Sequence, residues 1–306
     1  MREVSEWRHA EELDGVRSVL PSKRKANGTW YRVPPSRKPV PLHDWSGWHS
    51  QTTAVLSVDG GKVRSPEAGP DGLEWFECRV GIIAPADGGS RGSTFYVGGV
   101  LEPDELFRRL YAGWQSAPTT GRRALFIADG AEWIWGRASL MFPGARQVLD
   151  IYHAAEHVAS AAIAAWGEQS ARERSWRRQA REMLLRPGGP AKIIATLCVE
   201  LEQGTPADTK ALAREIEYLR RHAKRMPYAE LRAQDLPVGS GAMESAIKQT
   251  STQRLRQPGM MWSRSGADPI QRVRAAHLGG NLTHTVARKH QALRAGALQP
   301  VDAFTA

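Results

Sequence analysis

Cysteine is scarce in this 306-residue chain: Cys78 and Cys198 are the only two, far apart and in no C-x-x-C pair. That spacing excludes a zinc ribbon and a disulfide scaffold, and a reducing cytoplasm is the simplest setting for it. No apolar run approaches the roughly 18 residues of a membrane span, and no charged-then-apolar export signal opens the chain. Neither a membrane partner nor secretion is therefore expected. Acids are also in deficit, with 32 Asp and Glu against 42 Lys and Arg, a formal charge of +10 and a pI near 9.9. Such an excess points to a polyanionic partner, nucleic acid first, with a solvated basic face as the plain alternative. Hydrophobic residues make up 41% of the chain, enough for the core of one large domain or of a domain with a substantial insertion.

Residues 1–20 carry Val4, Trp7 and Leu13 at roughly helical spacing, which predicts a short amphipathic helix. Residues 21–50 are crowded with Lys23, Arg24, Lys25, Pro34, Pro35, Arg37, Lys38 and Pro39, which predicts a basic extended arm, either laid along a phosphate backbone or acting as a linker. Thr53–Val58 reads as a buried strand that enters a tight turn at Asp59-Gly60-Gly61. Trp75–Ile83 and Ser93–Gly99 continue a meander. A helix follows from Glu102 to about Gln115, with Pro103 and acids in its first turn. Ala124–Ala128 is a fourth strand ending at Asp129-Gly130, Trp133–Met141 a short helix and Gln147–Tyr152 a fifth strand. From His153 to about Arg225 nearly everything reads as helix, broken at Pro187–Pro190 and Gly204–Pro206. Beyond Leu278 the pattern fades into a basic tail.

This order predicts an α/β fold with a mixed sheet of the ribonuclease-H-like kind. The expected divisions are a short helix and basic arm over 1–50, a first core segment over 51–153, a helical insertion over 154–236, a second core segment over 237–278 and a tail over 279–306.

Three acids stand out. Asp59 and Asp129 each precede a glycine at an expected strand end, and Glu244 follows Gly239-Ser240-Gly241 just inside a later helix. Each has a plain reading: Asp-Gly favours tight loops, Ser240 can cap a helix, and a glutamate near a helix start is favoured by the helix dipole. Converging carboxylates at one sheet edge, however, must shift their pKa values or bind a cation. Mg²⁺ suits oxygen ligands, and two such ions about 3.5–4 Å apart can activate a nucleophilic oxygen and stabilise the leaving one.

Four ordered motifs carry a family likeness: Val58-Asp59-Gly60-Gly61, then Ile127-Ala128-Asp129-Gly130-Ala131-Glu132-Trp133-Ile134, then Leu149-Asp150-Ile151-Tyr152-His153-Ala154-Ala155-Glu156-His157, then Gly239-Ser240-Gly241-Ala242-Met243-Glu244-Ser245-Ala246. Together with Gln253-Arg254-Leu255, Met261-Trp262-Ser263 and Gly266-Ala267-Asp268, the chain resembles the DDE transposases of bacterial insertion sequences, nearest to the ISKra type, over roughly residues 50 to 275. The resemblance implies that Asp59, Asp129 and Glu244 hold Mg²⁺ or Mn²⁺, two ions in all. Asp150 and His153 match the Asp/Cys-x-x-His motif of Mutator-like and hAT-like relatives, whose helical insertion is similar to the long gap between Asp129 and Glu244. The implied activity is cleavage of double-stranded DNA at the element ends by water, then attack of the freed 3′-hydroxyl on target DNA by a homo-oligomer in the cytoplasm. His153 is a candidate contact to DNA or the scissile phosphate. Arg254, Arg256 and Trp262 are candidates for phosphate contact and base stacking, or else a basic helix face with a core tryptophan. Relatives carry more sequence ahead of the first acid, so an N-terminally truncated copy is expected.

Two readings come from other classes. One is a truncated DNA-binding remnant that does not transpose. The other is a zinc metalloprotease, because His153-Ala154-Ala155-Glu156-His157 fits the H-x-x-E-H spacing in which two histidines bind zinc and the glutamate acts as base.

Overall fold

The computed structural model describes residues 23–24, 30–31, 42–68, 74–89, 92–118 and 123–294. The helix expected over residues 1–20 and much of the expected arm lie outside them. Within the arm, Lys23–Arg24 pairs antiparallel with Trp30–Tyr31.

Eleven-residue strands β1 (Ala54–Arg64) and β2 (Trp75–Pro85) form an antiparallel hairpin with Ala54 opposite Pro85 and Arg64 opposite Trp75. β3 (Phe95–Gly99) pairs antiparallel with β2, and β4 (Ala124–Ala128) pairs parallel with β5 (Arg146–Leu149). The result is a five-stranded mixed sheet in the order β3-β2-β1-β4-β5, with helices around it: an α/β fold. The turn expected at Asp59-Gly60-Gly61 is not there. β1 runs through it to Arg64 because β2 offers a partner to every residue, and the chain reverses only between Ser65 and Glu74, joined by a 2.8 Å backbone hydrogen bond. Gly60 serves close approach instead, since a Cβ there would overlap the Glu77 carboxylate.

The chain divides into two compact units, one of Met1–Ala124, Ser139–Gly144 and Ala242–Ala306, the other of Leu125–Ala138 and Ala145–Gly241. In the first, the two faces of the hairpin alternate along β2. Gly81 receives Leu106 and Leu110 of α1 (Pro103–Ser116), a helix begun by Pro103, Asp104 and Glu105. On the other face, Val80 and Ile82 receive Met243 and Ala246, which belong to a short helix beginning at Gly241 and described below. Residues 42–48, expected as part of an open arm, are packed: Leu42 and His43 are buried, and the Trp48 indole donates to the Ser93 carbonyl at 2.7 Å. The expected tail likewise contains a helix, Leu282–Arg294, anchored where Asn281 donates to the Leu42 carbonyl at 3.3 Å.

The second unit is mostly helical: α2 (Glu132–Met141), α3 (Ile151–Trp166), α4 (Ala171–Leu184), α5 (Gly189–Gln203), α6 (Thr209–His222) and α7 (Tyr228–Arg232). Ile151 and Tyr152, expected in a strand, open α3 because Asp150 caps it by accepting the Tyr152 N–H at 2.7 Å. Ser170 and Asp208 cap α4 and α6 in the same way, at 3.0 and 2.9 Å. Trp166 meets Trp176 edge-on at 4.9 Å, joining α3 to α4. Among the described residues no helix is long and apolar enough to cross a membrane.

His222, buried at the end of α6, lies 4.7 Å from the Tyr218 ring, and its Nδ1 is 3.3 Å from Arg225 Nη1. Burial, and then the charges of Arg225, Arg221 and His157, push its pKa from 6.5 down to about 4. The folded chain therefore holds it neutral while the unfolded chain takes up a proton below 6.5, so stability falls as pH drops from 6.5 toward 4. Urea midpoints at pH 7 and pH 4.5 should show a smaller fall for His222→Gln than for the wild type; equal falls would assign the acid sensitivity to other groups.

Candidate functional site

Asp59 sits in the middle of β1, directly opposite Val80. Residues directly opposite in an antiparallel pair point to the same face, so Asp59 faces the side on which Val80 packs against Met243 and Ala246. Gly61, two residues on, confirms that side: a Cβ there would face Ile247, Ser251 and the guanidinium of Arg256. Ile247 belongs to α8 (Gly241–Ile247) and Ser251 to a π-helical turn (Lys248–Thr252), and Arg256 follows directly on α9 (Gln253–Leu255). Glu244 is exposed on α8, between the turned-in Met243 and Ala246. The half-buried Asp59 carboxylate accepts the Gly60 N–H at 2.6 Å.

A cleft of about 660 Å³ in the same unit is lined by Lys62, Arg79, Arg256, Arg264 and Trp75, together with two acids, Glu77 and Glu102. Arg79 is held by Glu77 and by the Leu101 carbonyl. Arg264 lies over the Phe76 ring, 5.3 Å from its centroid. Arg254 is exposed on α9. Trp262 is half-buried and packs against a cluster containing Val63, Phe76 and Leu255. Trp75, 47% exposed at the start of β2, is presented to the cleft beside the buried Phe76, a role that its place in an apolar-looking strand concealed.

Asp129 belongs to the second unit and directly follows β4. It accepts the Ala131 N–H at 2.9 Å, turning the chain into α2. Because β4 and β5 are parallel, Asp150 reaches the same edge after β5, and its N–H bonds the Ala128 carbonyl at 2.8 Å. Asp150 is buried with both oxygens committed: Oδ1 caps α3, and Oδ2 accepts the N–H of Ser240 at 2.7 Å and its hydroxyl. It is a tie between α3 and the segment entering α8, so the Ser240 hydroxyl serves Asp150 in place of the helix cap read from sequence.

His153 is partly exposed on the first turn of α3 and pairs with Glu156 at 3.3 Å. His157, one turn on, bonds Glu215 of α6 at 2.6 Å and stacks on Tyr218 with ring centroids 3.4 Å apart. The H-x-x-E-H residues are thus engaged with one another and with α6. Burial, and then the negative charge of Asp129, raise the Tyr218 hydroxyl well above its ordinary pKa. Tyr218 also covers Gly130, where a Cβ would fall into its ring and hydroxyl. Tyr218 and Glu215 went unread in the sequence; their signal is a polar stripe interleaved with Leu212, Ile216 and Leu219 on the buried side of α6.

Compared with known proteins, the chain matches no family model and no curated protein. Three carboxylates offer the hard oxygen donors that Mg²⁺ prefers. Among the described residues, however, no group of three His, Cys, Asp or Glu is gathered that could hold one ion.

The Tyr218 lid over Gly130 makes a local prediction. Gly130→Ala should cost about 1–3 kcal/mol by overpacking, whereas Gly136→Ala, in open space on α2, should stabilise by up to about 1 kcal/mol. Urea unfolding of both variants checks this; a neutral Gly130→Ala would mean that Tyr218 moves aside freely.

Proposed function

We propose that the chain is a DNA transposase of the three-acid type, working by metal-dependent cleavage of a DNA phosphodiester and strand transfer, with Asp59, Asp129 and Glu244 as its essential carboxylates. The observation that carries the reading is the register of Asp59 opposite Val80, which turns this acid toward the face where the Glu244 helix packs. The strand order β3-β2-β1-β4-β5 and the mixed sheet support a ribonuclease-H-like fold. The family likeness of the four ordered motifs supplies the acid assignment, and Asp129 at the end of β4 is in keeping with it.

In this proposal, water attacks phosphorus at the element end and the 3′ oxygen leaves; the freed 3′-hydroxyl then attacks a phosphodiester of target DNA. Bound divalent ions, Mg²⁺ or Mn²⁺, would supply activation of the nucleophilic oxygen and stabilisation of the leaving one. The chain's own part is to hold DNA. Lys62, Arg256 and Arg264 line the cleft as phosphate partners, and Trp75 offers an exposed ring beside them. Asp150 fixes the approach to α8 through Ser240. His153, partly exposed beside Glu156, would meet a phosphate by giving up that pairing. DNA binding without cutting is the second reading, favoured by the same basic cleft, which needs no ion.

Nicking and strand transfer with Mg²⁺ or Mn²⁺, on DNA carrying the sequences that flank this chain's own gene, test the proposal. The wild type should cut, and Asp59→Asn, Asp129→Asn and Glu244→Gln should each fall to background while still binding DNA. Cutting that survives the three substitutions would mean another active site; binding without cutting by the wild type in either metal would select the second reading.

A further inference from the structure

The second unit carries a charged groove that the proposed chemistry does not use. Arg174, Arg177, Arg178 and Arg181 of α4 line one wall of a groove of about 970 Å³, and Tyr152, Ala155 and Ala159 of α3 line the other. Their i, i+3, i+4, i+7 spacing puts the four arginines on one helix face, in a row about 10 Å long at the helical rise per residue.

This charge is only partly neutralised within the protein. Arg177 pairs with Glu173 at 3.2 Å. Among the described residues, Arg174, Arg178 and Arg181 are exposed and make no ion pair. The two acids on the groove have partners of their own, Glu156 with His153 at 3.3 Å and Glu182 with Arg186 at 3.6 Å. On the facing wall, Tyr152 is 54% exposed. Its ring rests against Gly239, where a Cβ would lie 3.1 Å from Cε2. The ring is therefore backed by main chain on one side and open on the other, and Ala155 and Ala159 beside it keep the floor low.

Guanidinium forks match phosphate oxygens in pairs. A basic track beside an exposed aromatic ring is the combination that holds unpaired bases, because every base has a face to stack. A duplex keeps its bases stacked on one another and would give Tyr152 no partner. We propose that the α3/α4 groove binds single-stranded nucleic acid, its sugar-phosphate backbone along the α4 arginines and an unpaired base stacked on Tyr152. The groove lies wholly in the second unit, and its role does not depend on the chemistry of the three acids.

The test is fluorescence anisotropy of the full chain with labelled oligothymidylate and with a labelled duplex of equal length, each across a range of salt. The Arg174→Ala/Arg178→Ala/Arg181→Ala variant should bind oligothymidylate at least about tenfold more weakly, with the logarithmic salt slope reduced by about 2. An equal loss of charge elsewhere in the unit, Lys210→Ala/Arg214→Ala/Lys224→Ala, should have a much smaller effect. Tyr152→Ala should weaken binding by about fivefold or more, and Tyr152→Phe, which keeps the ring, should bind as the wild type does. Circular dichroism confirms that each variant is folded. An α4 triple variant no weaker than the control triple, a Tyr152→Ala variant that binds normally, or a loss confined to the duplex would overturn the proposal.

Discussion

The pairing of β1 with β2 is the constraint on which the first unit rests. Eleven consecutive partners lock the register, and because side chains alternate, a slip of one residue would exchange the two faces of β1. Val58 would then leave the α1 side, and the Asp59 carboxylate would turn toward Leu106 and Leu110, an apolar setting in which an unpaired charge is costly. The apolar residues around Asp59 thus determine where its carboxylate points. Gly60 and Gly61 let the hairpin continue past that carboxylate with room for Glu77 on one residue and the α8–α9 segment on the other.

The second unit solves a different problem, how to bury polar groups between helices. His157, Glu215, Tyr218 and His222 form a chain of contacts across α3 and α6, in which a 2.6 Å hydrogen bond, a 3.4 Å ring stack and a 4.7 Å ring contact follow in turn. Polar networks of this kind hold one arrangement when satisfied and are costly when broken. Tyr218, in the middle of this chain of contacts, also lies over Gly130, so the turn that follows β4 is covered by α6, and Arg221 of the same helix reaches Glu132 across an 89-residue separation.

Much of this architecture is legible in the sequence where local signals and tertiary contacts agree. Ala124–Ala128 is an apolar run closed by Asp129-Gly130, and α1 opens on Pro103 with two acids; both lie where the pattern puts them. Legibility fails where a strand partner or a capping side chain overrules the preference of the residues themselves. Asp59-Gly60 has turn chemistry but sits in a hairpin, and Ile151-Tyr152 looks like strand but follows a capping aspartate. The acids could be singled out by residue type and order. Tyr218, the pairing of His157 with Glu215 over 58 residues, and the wall that Tyr152 makes opposite the α4 arginines depend on how helices pack, which no single window of sequence contains.

The π-helical turn at Lys248–Thr252 sets an angular offset within the segment that carries both Glu244 and Arg256. A π turn accommodates one more residue than an α turn, so removing one residue there would restore regular winding and rotate everything downstream by about 100° about the helix axis. Arg254, and the chain that leaves the helix at Arg256, would then swing to a different direction with respect to Glu244. The phase between acid and arginines is thus encoded by chain length at this turn, so a deletion here would change the orientation of the basic groups without altering any of them.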